Sequence, residues 1–121
     1  MKTVWITGGS TGIGLATAKK FIDNNWKVII TSRNSKKLLN AKKNILQKSV
    51  NQNLYVYECD ISNRNQVKST IIKITNEIGQ INLAILNAAA YSPNKDQNFS
   101  IDNYELLIDV NLKGTLYCIE F

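Results

Sequence analysis

Short apolar segments alternate along this chain with segments whose apolar residues recur at helical spacing. Four apolar segments rich in β-branched residues predict strands at 3–7, 27–31, 54–57 and 83–86. The segments that follow them place apolar residues three or four positions apart, which is typical of a helix with one buried face. The pattern therefore predicts the element order β-α-β-α-β-α-β-α.

The predicted strands are apolar over their whole length rather than at alternate positions. Strands of this kind are buried on both faces, as in a parallel sheet covered by helices. The predicted helices supply the crossover connections that parallel strands need. We therefore expect an α/β fold, namely the N-terminal part of a Rossmann-type doubly wound parallel sheet.

Polar residues and glycines predict where the helices begin and end. Ser35 is the predicted N-cap of the second helix and Ser100 that of the last helix, whereas Gly79 is the predicted C-cap of the third. The last helix is amphipathic and reaches Phe121 without a capping residue. We therefore expect residues 1–121 to be one unfinished domain, with the fourth strand at an uncovered sheet edge.

The composition indicates which locations, metal sites and acid–base groups to expect for this protein. No apolar run approaches the roughly 18–20 residues that span a bilayer, and no signal-peptide core follows Met1, so a cytoplasmic location without membrane contact is expected. Cys59 and Cys118 have no metal-ligand or redox spacing, so we expect two buried thiols and no metal site. The chain has no histidine, which leaves Tyr, Lys, Asp or Glu for acid–base chemistry.

The net charge of +6 raises the alternative of a nucleic-acid-binding domain. The lysines, however, are spread along the predicted helices, and the aromatic residues fall at core-like positions rather than between the basic ones. A solvated basic surface and no nucleic-acid partner are therefore expected. Salt-sensitive oligonucleotide binding would favour the alternative.

A glycine-rich turn, Thr7–Gly14, separates the first predicted strand from the first predicted helix. Gly8 permits a tight reversal, Gly12 lets a phosphate approach backbone N–H groups, and Gly14 allows the helix to pack closely on the sheet. The helix N-terminus adds unpaired N–H donors and a partial positive charge. The turn is therefore predicted to bind dinucleotide phosphates. The candidate residues are Gly8, Ser10, Thr11, Gly12, Ile13 and Gly14.

The spacing Thr7-Gly8-x-x-x-Gly12-x-Gly14 resembles the signature of the classical short-chain dehydrogenases/reductases. Four further segments resemble that family in the same order: Thr31-Ser32-Arg33-Asn34, Cys59-Asp60-Ile61-Ser62, Leu86-Asn87-Ala88-Ala89 and Val110-Asn111-Leu112-Lys113-Gly114. Five collinear matches are far more specific than any one of them. The resemblance covers essentially the whole chain and corresponds to the N-terminal, cofactor-binding half of the family's domain.

The residues after the second strand bear on the choice of cofactor. An acidic residue there would bind the ribose 2′-OH and favour NAD(H), but this chain has Ser32 and Arg33, followed by Asn34. Ser32 and Arg33 can contact a 2′-phosphate, and such a charge-assisted contact is worth roughly 1.5–3 kcal/mol. We therefore expect NADP(H). NAD(H) remains the alternative, in which Arg33 stacks on the adenine or pairs at the surface.

The resemblance implies further cofactor contacts at the ends of the third and fourth strands. Asp60 would accept a hydrogen bond from the adenine amino group, with the backbone of Ile61 near the base. A simple turn or N-cap role for Asp60 is the alternative. Asn87 would stabilise the central strand and line the ribose side of the pocket together with Ala88 and Ala89. The family usually has glycine at position 89, so slightly tighter packing is expected there.

The family transfers a hydride between a nicotinamide and a carbonyl or alcohol, using a Ser and a Tyr-x-x-x-Lys pair that lies after a helical Asn. The lysine lowers the pKa of the phenol from about 10 toward neutrality. In this chain the spacing from Tyr91 to Lys95 contains the helix-breaking Pro93 and precedes Asn111, so we do not expect it to be catalytic. Asn111 is the one catalytic candidate. The resemblance implies that it holds a water in the proton relay, although a bond to the backbone would also satisfy its amide.

These expectations define two main functional hypotheses. The first is an NADP(H)-dependent oxidoreductase of the short-chain dehydrogenase/reductase type, present as its cofactor-binding portion and inactive alone. The second is a non-catalytic NADP(H)-binding module, such as a sensor or pseudoenzyme. The expected partners are the dinucleotide and, in a full-length protein, a small carbonyl or alcohol substrate. The family resemblance also allows a homo-oligomer of the complete protein.

Overall fold

The computed structural model of the protein describes residues 1–91 and 99–121, and its elements follow the predicted order. The strands are β1 (Thr3–Thr7), β2 (Lys27–Ser32), β3 (Leu54–Glu58) and β4 (Leu83–Leu86). The helices are α1 (Gly12–Asp23), α2 (Ser35–Leu46), α3 (Arg64–Glu77), α4 (Ile101–Leu107) and α5 (Thr115–Glu120). A π-helical segment, Ile108–Gly114, joins α4 to α5.

The described strands form one parallel sheet in the order β3-β2-β1-β4. Ile6 of β1 lies in register with Ile30 of β2 on one side and with Ile85 of β4 on the other. The chain therefore moves outward from β1 to β3 and then returns to the opposite side of β1. This reversal is the topological switch point of a doubly wound sheet, and it confirms the predicted Rossmann-type fold.

Two apolar cores cover the two faces of the sheet. On one face Val4 and Ile6 of β1 pack with residues of α1 and α2, and on the other face Trp5 packs with residues of α3 and of the C-terminal helices. Cys59 and Cys118 are both buried in the second core, as predicted. Burial on both faces holds for β1 and β2 but only in part for β3 and β4, because these two strands form the edges of the described sheet.

The helix ends agree with the sequence predictions except at the N-terminus of α2 and the C-terminus of α3. Asn34, not Ser35, is its N-cap: the Asn34 side chain accepts a hydrogen bond from the backbone N–H of Lys37 at 3.0 Å. Asn34 has the extended backbone that an N-cap needs, and Ser35 is already the first helical residue. Ser100 caps α4 as predicted. The C-cap of α3 is Ile78 rather than the predicted Gly79, which is the next residue and has φ +117°, a left-handed backbone that glycine readily adopts just past a helix end.

The predicted last helix differs from a regular α-helix in its middle turns, where Ile108–Gly114 is π-helical. Hydrogen bonds between residues five apart widen this segment. Gly114 allows the widened segment to pack closely, because a β-carbon at this position would lie 2.8 Å from Cγ1 of Ile61. Hydrophobic periodicity does not reveal the π turn, since apolar residues four apart fit both kinds of helix. Among the described residues, no helix combines the length and hydropathy needed to cross a membrane.

Asn51, in the connection before β3, joins three parts of the fold. Its Nδ2 donates to the carbonyl oxygens of Ile22 at 3.1 Å and Trp26 at 2.8 Å, so it holds the end of α1 and the residue before β2. Its Oδ1 accepts from the backbone N–H of Asn53 at 3.0 Å. A polar loop residue gives no sequence signal for such a role.

We expect Asn51→Ala to lower the free energy of unfolding by about 1–3 kcal/mol, because two carbonyl groups and one N–H each lose a hydrogen bond. Urea denaturation measures the change. Asn76→Ala is the matched control, since Asn76 is exposed on α3 and its side chain makes no hydrogen bond within the described residues. The control is expected to change stability by less than about 0.5 kcal/mol. Equal effects of the two substitutions would contradict the role assigned to Asn51.

Candidate functional site

A cleft of about 560 Å³ lies where the carboxyl ends of β1, β2 and β4 meet. Its volume is within the range of small-molecule sites, and its position beside the switch point is where doubly wound sheets bind ligands. Most of the predicted cofactor residues line it: Gly8, Ser10, Thr11, Ser32, Arg33, Asn34, Ile61, Asn87, Ala88 and Ala89. Thr31, Lys37, Cys59 and Val110 also line it and were not predicted.

Three predicted residues, Gly12, Ile13 and Gly14, lie just beyond the lining residues in the first turn of α1. The side chain of Ile13 is exposed. A β-carbon at Gly12 would meet no protein atom within 4 Å, although the backbone there has φ +57°. The surface over Gly12 is therefore open to a ligand.

Gly8 and Gly14 are required because β1, β4 and α1 approach one another closely. Gly8 has φ +66°, and a β-carbon there would lie 2.8 Å from Cα of Ala88. A β-carbon at Gly14 would overlap the carbonyl oxygen of Gly8 and lie 2.6 Å from Nδ2 of Asn87. Side chains at these positions would push the helix and the turn away from the sheet.

Asn87 and Thr7 join the ends of β4 and β1 across the switch point. Nδ2 of Asn87 donates to the carbonyl oxygens of Thr7 at 3.2 Å and Gly8 at 3.1 Å. In return, the Thr7 hydroxyl accepts from the backbone N–H of Ala88 at 3.0 Å. The predicted contact of Asn87 with the central strand is thus present, and it fixes the floor of the cleft.

The N-terminus of α1 differs from those of α2, α3 and α4. Asn34, Asn63 and Ser100 each use a side chain to accept a helix N–H, whereas Thr11 makes no side-chain cap. The first N–H groups of α1 therefore have no side-chain partner among the described residues. Such groups, at the positive end of a helix beside a cleft, favour an anion.

The hydroxyl of Ser32 links the glycine-rich turn to the end of β2. Its oxygen accepts a hydrogen bond from Oγ of Ser10 at 3.2 Å and another from the backbone N–H of Asn34 at 3.3 Å. A hydroxyl has two acceptor sites and one proton, so Ser32 has only its proton left to offer to a ligand. A group that accepts hydrogen bonds is therefore the better match for Ser32.

Among the residues that the structure describes, the cleft is lined by basic but not by acidic side chains. Arg33 and Lys37 both line it, on the side of β2 and the start of α2. Among the described residues, ion pairs join Arg64 to Glu120 and Lys113 to Asp109, so neither cation of the cleft has a carboxylate partner. No distinctive sequence signal marks Lys37, because it is one of several lysines in α2.

Asp60 takes part in a turn at the end of β3. Its Oδ1 accepts from the backbone N–H of Ser62 at 3.0 Å and from the Ser62 hydroxyl at 2.7 Å. Its neighbours Cys59 and Ile61 line the cleft, whereas Asp60 itself does not. The turn role is therefore present, and an adenine contact by Asp60 stays a prediction.

Asn111 binds the backbone of the segment that follows β4. Its Oδ1 accepts from the N–H of Ala90 at 2.7 Å, and its Nδ2 donates to the carbonyl oxygen of Ala90 at 2.9 Å. The alternative for Asn111, a side chain bonded to the backbone, is therefore present. The proton-relay role stays a prediction. Pro93 and Lys95 lie outside the described residues, so the exclusion of the Tyr91–Lys95 spacing from catalysis is also untested.

The two thiols are poorly suited to nucleophilic chemistry. Burial raises the pKa of Cys118 to about 11, and a smaller contribution comes from Cys59 nearby. Burial also raises the pKa of Cys59, although a hydrogen bond with Thr70 opposes the shift. Thiols with raised pKa values are protonated and unreactive near neutral pH. Cys59 therefore forms part of the wall of the cleft rather than a reactive group.

The family model described as short chain dehydrogenase matches residues 2–121, which include the cleft and every element around it. The chain belongs to the short-chain dehydrogenase family. This is a family of oxidoreductases that bind NAD(P)(H). The membership agrees with the resemblance of the five sequence motifs and with the parallel sheet order.

Individual relatives agree with this membership. An uncharacterized oxidoreductase of Staphylococcus aureus is 31% identical over 98% of this chain and 50% of its own length. A crystal structure of a Bacillus anthracis short chain dehydrogenase has 33% identity and a TM-score of 0.85, over 98% of this chain and 47% of the other. A structure of a Tyr-to-Phe variant of ElxO with NADPH bound has 29% identity and a TM-score of 0.87, over 98% of this chain and 48% of the other. The chain thus spans about half the length of these short-chain dehydrogenases.

We expect Gly14→Ala to destabilise the protein by about 1–3 kcal/mol, because the added methyl overlaps the Gly8 carbonyl and the Asn87 amide. Helix propensity alone would act in the opposite direction by about 1 kcal/mol. Ala16→Ser, at an exposed position of the same helix, is the control and is expected to change stability by less than about 0.5 kcal/mol. Thermal and urea unfolding measure both. A Gly14→Ala protein as stable as wild type would show that the turn has room for a side chain.

Proposed function

We propose that this chain is the cofactor-binding portion of an NADP(H)-dependent short-chain dehydrogenase, whose complete form transfers a hydride between the nicotinamide and a carbonyl or alcohol substrate. The observation that carries the proposal is the uncapped N-terminus of α1 at the switch point, facing a cleft whose charged lining residues are Arg33 and Lys37. A dinucleotide with two phosphate sites fits a cleft with a helix N-terminus on one side and cations on the other.

In this proposal the pyrophosphate lies over the first turn of α1. The N–H groups of Gly12, Ile13 and Gly14 are the donors, and the hydroxyls of Ser10 and Thr11 flank them. The open space over Gly12 supports this placement. No protein atom lies within 4 Å of the point where a β-carbon would stand, so a phosphate can approach the backbone there. Gly8 and Gly14 act indirectly, since they let the turn lie close to β1 and β4.

The proposed preference for NADP(H) depends on the end of β2. Ser32 has only a proton to offer, and a phosphate is a pure acceptor. Arg33 supplies charge and a planar donor set suited to a phosphate. Within residues 1–91 and 99–121, no carboxylate lines the cleft where it could bind a ribose hydroxyl. The NADPH complex of ElxO, at 29% identity, supports the same choice. NAD(H) is the alternative and would leave Arg33 without a phosphate partner.

The contacts of the adenine and of the nicotinamide are proposed from the family resemblance. Asp60 has a second carboxylate oxygen that could accept from the adenine amino group beside Ile61, and Asn34 lies at the same rim. Asn87, Ala88 and Ala89 would line the ribose. The bound nicotinamide would supply or accept the hydride. Asn111, fixed to the backbone of Ala90, would act with a Ser, Tyr and Lys set.

That set has no counterpart at the family's positions within these 121 residues, so the chain alone is proposed to bind cofactor without turnover. A non-catalytic NADP(H)-binding module is the second candidate. The cytoplasmic location, the lack of a nucleic-acid partner and the oligomeric state stay predictions from the sequence.

Equilibrium titration with NADPH and NADH tests the cofactor proposal. We expect wild type to prefer NADPH by roughly tenfold to a hundredfold, and Arg33→Ala to lose most of that preference through weaker NADPH binding. Lys113→Ala is the control, because Lys113 lies in the π-helical segment, pairs with Asp109 and does not line the cleft. Our assignment of Arg33 is wrong if the preference survives Arg33→Ala unchanged.

We also expect the 121-residue chain to show no carbonyl reduction above background when NADPH absorbance is followed with a panel of aldehydes and ketones. Steady turnover at enzyme-like rates would contradict this. The coding sequence after position 121 separates the two candidate functions. An in-frame Ser followed by Tyr-x-x-x-Lys favours the oxidoreductase, whereas a stop codon with a stable product favours the non-catalytic module.

A further inference from the structure

We infer that Lys37 is a second cofactor-specificity residue, whose ammonium group binds the 2′-phosphate of NADP(H) together with Arg33. This inference rests on the proposed function and extends it to a residue outside the family motifs quoted above. Lys37 lines the same cleft as Ser32, Arg33 and Asn34. These four residues occupy one stretch of chain, from the end of β2 to the first turn of α2.

The backbone around Lys37 is held by the N-cap of α2. Oδ1 of Asn34 accepts from the N–H of Lys37 at 3.0 Å, and the carbonyl of Asn34 accepts from the N–H of Leu38 at 3.1 Å. The N–H of Lys37 is therefore already used by the cap. Any contribution of Lys37 to an anion in the cleft must come from its side chain, at the end of a flexible four-carbon stem.

The charge of the proposed ligand requires more than one cation. A phosphate monoester carries about −1.5 to −2 charges at neutral pH, so Arg33 alone leaves part of this charge uncompensated. Neither Arg33 nor Lys37 has a carboxylate partner within residues 1–91 and 99–121. A cleft wall with two unpaired cations and the free proton of Ser32 therefore matches a dianionic group better than a neutral hydroxyl.

The other lysines of α2 do not share this position. Lys36 and Lys37 are both exposed, but Lys36 does not line the cleft, and Lys42 and Lys43 lie in the second half of the helix. Lys36 therefore offers a control of the same residue type, at the adjacent position of the same helix. Replacing either lysine removes one positive charge from the protein and from the first turn of α2, so a difference between the two variants reports direct contact.

Comparing NADPH with NADH distinguishes a contact with the 2′-phosphate from a general attraction of a cation for any dinucleotide. NADH has a neutral 2′-hydroxyl, so loss of a cation that binds the 2′-phosphate weakens NADPH and leaves NADH nearly unchanged. Loss of a cation that attracts any dinucleotide through its pyrophosphate weakens both. A contact with the phosphate also makes NADPH binding more sensitive to salt, because charge pairs at an open cleft are screened.

The test is equilibrium titration of the 121-residue chain and its variants with NADPH and NADH at two salt concentrations. Lys37→Ala is expected to weaken NADPH binding by roughly fivefold to twentyfold and NADH binding by less than about twofold. Lys36→Ala is expected to change either affinity by less than about twofold. Lys37→Arg retains the charge and is expected to keep most of the NADPH affinity. Thermal unfolding of each variant verifies that the fold is intact.

The inference is overturned if Lys37→Ala and Lys36→Ala weaken NADPH equally, or if Lys37→Ala weakens NADH as much as NADPH. These outcomes leave the proposed function intact when wild type prefers NADPH and Arg33→Ala removes that preference. A wild-type chain that binds neither nucleotide overturns the proposed function, and the inference with it. The two failures are therefore distinguishable.

Discussion

The close contact between the glycine-rich turn and the ends of β1 and β4 is the constraint on which the cleft depends. It places the backbone of Gly8 against Ala88 and the start of α1 against Asn87, at distances that exclude side chains on Gly8 and Gly14. The amide of Asn87 then bonds two carbonyls of the β1 end. Because this contact brings α1 down onto the sheet, the helix N-terminus lies directly beside the cleft.

The remaining polar features of the cleft extend from that contact. The Ser10–Ser32 hydrogen bond connects the glycine-rich turn to the end of β2. It therefore links the proposed pyrophosphate-binding region to the proposed 2′-phosphate-binding region. The N-cap of α2 then fixes the direction in which the chain leaves β2 and keeps Arg33 and Lys37 on the same wall. Local hydrogen bonds, each modest in energy, thus set the charge and donor pattern of the whole site.

Much of the fold and of the candidate site could be predicted from the sequence, because both depend on local patterns. The apolar runs placed the strands, and the glycine spacing placed the turn. Features that depend on packing in three dimensions were not predictable: Asn51 bridges segments far apart in sequence, and the π turn around Asn111 preserves the apolar spacing of an α-helix. Asn34 and Ser35 are both good caps, so only the backbone geometry separates them. Lys37 was missed because one basic residue in a lysine-rich helix has no distinctive signal.

The missing side-chain cap on α1 also affects the energetics of the unliganded protein. A good N-cap is worth about 1 kcal/mol, and α1 forgoes this stabilisation where α2, α3 and α4 have it. An anion that binds the free N–H groups supplies the missing partner and stabilises the folded state according to its concentration relative to its dissociation constant. The lifetime of the folded chain in a cell would then depend on the concentration of that anion, and a low ligand concentration would favour unfolding and degradation of the protein.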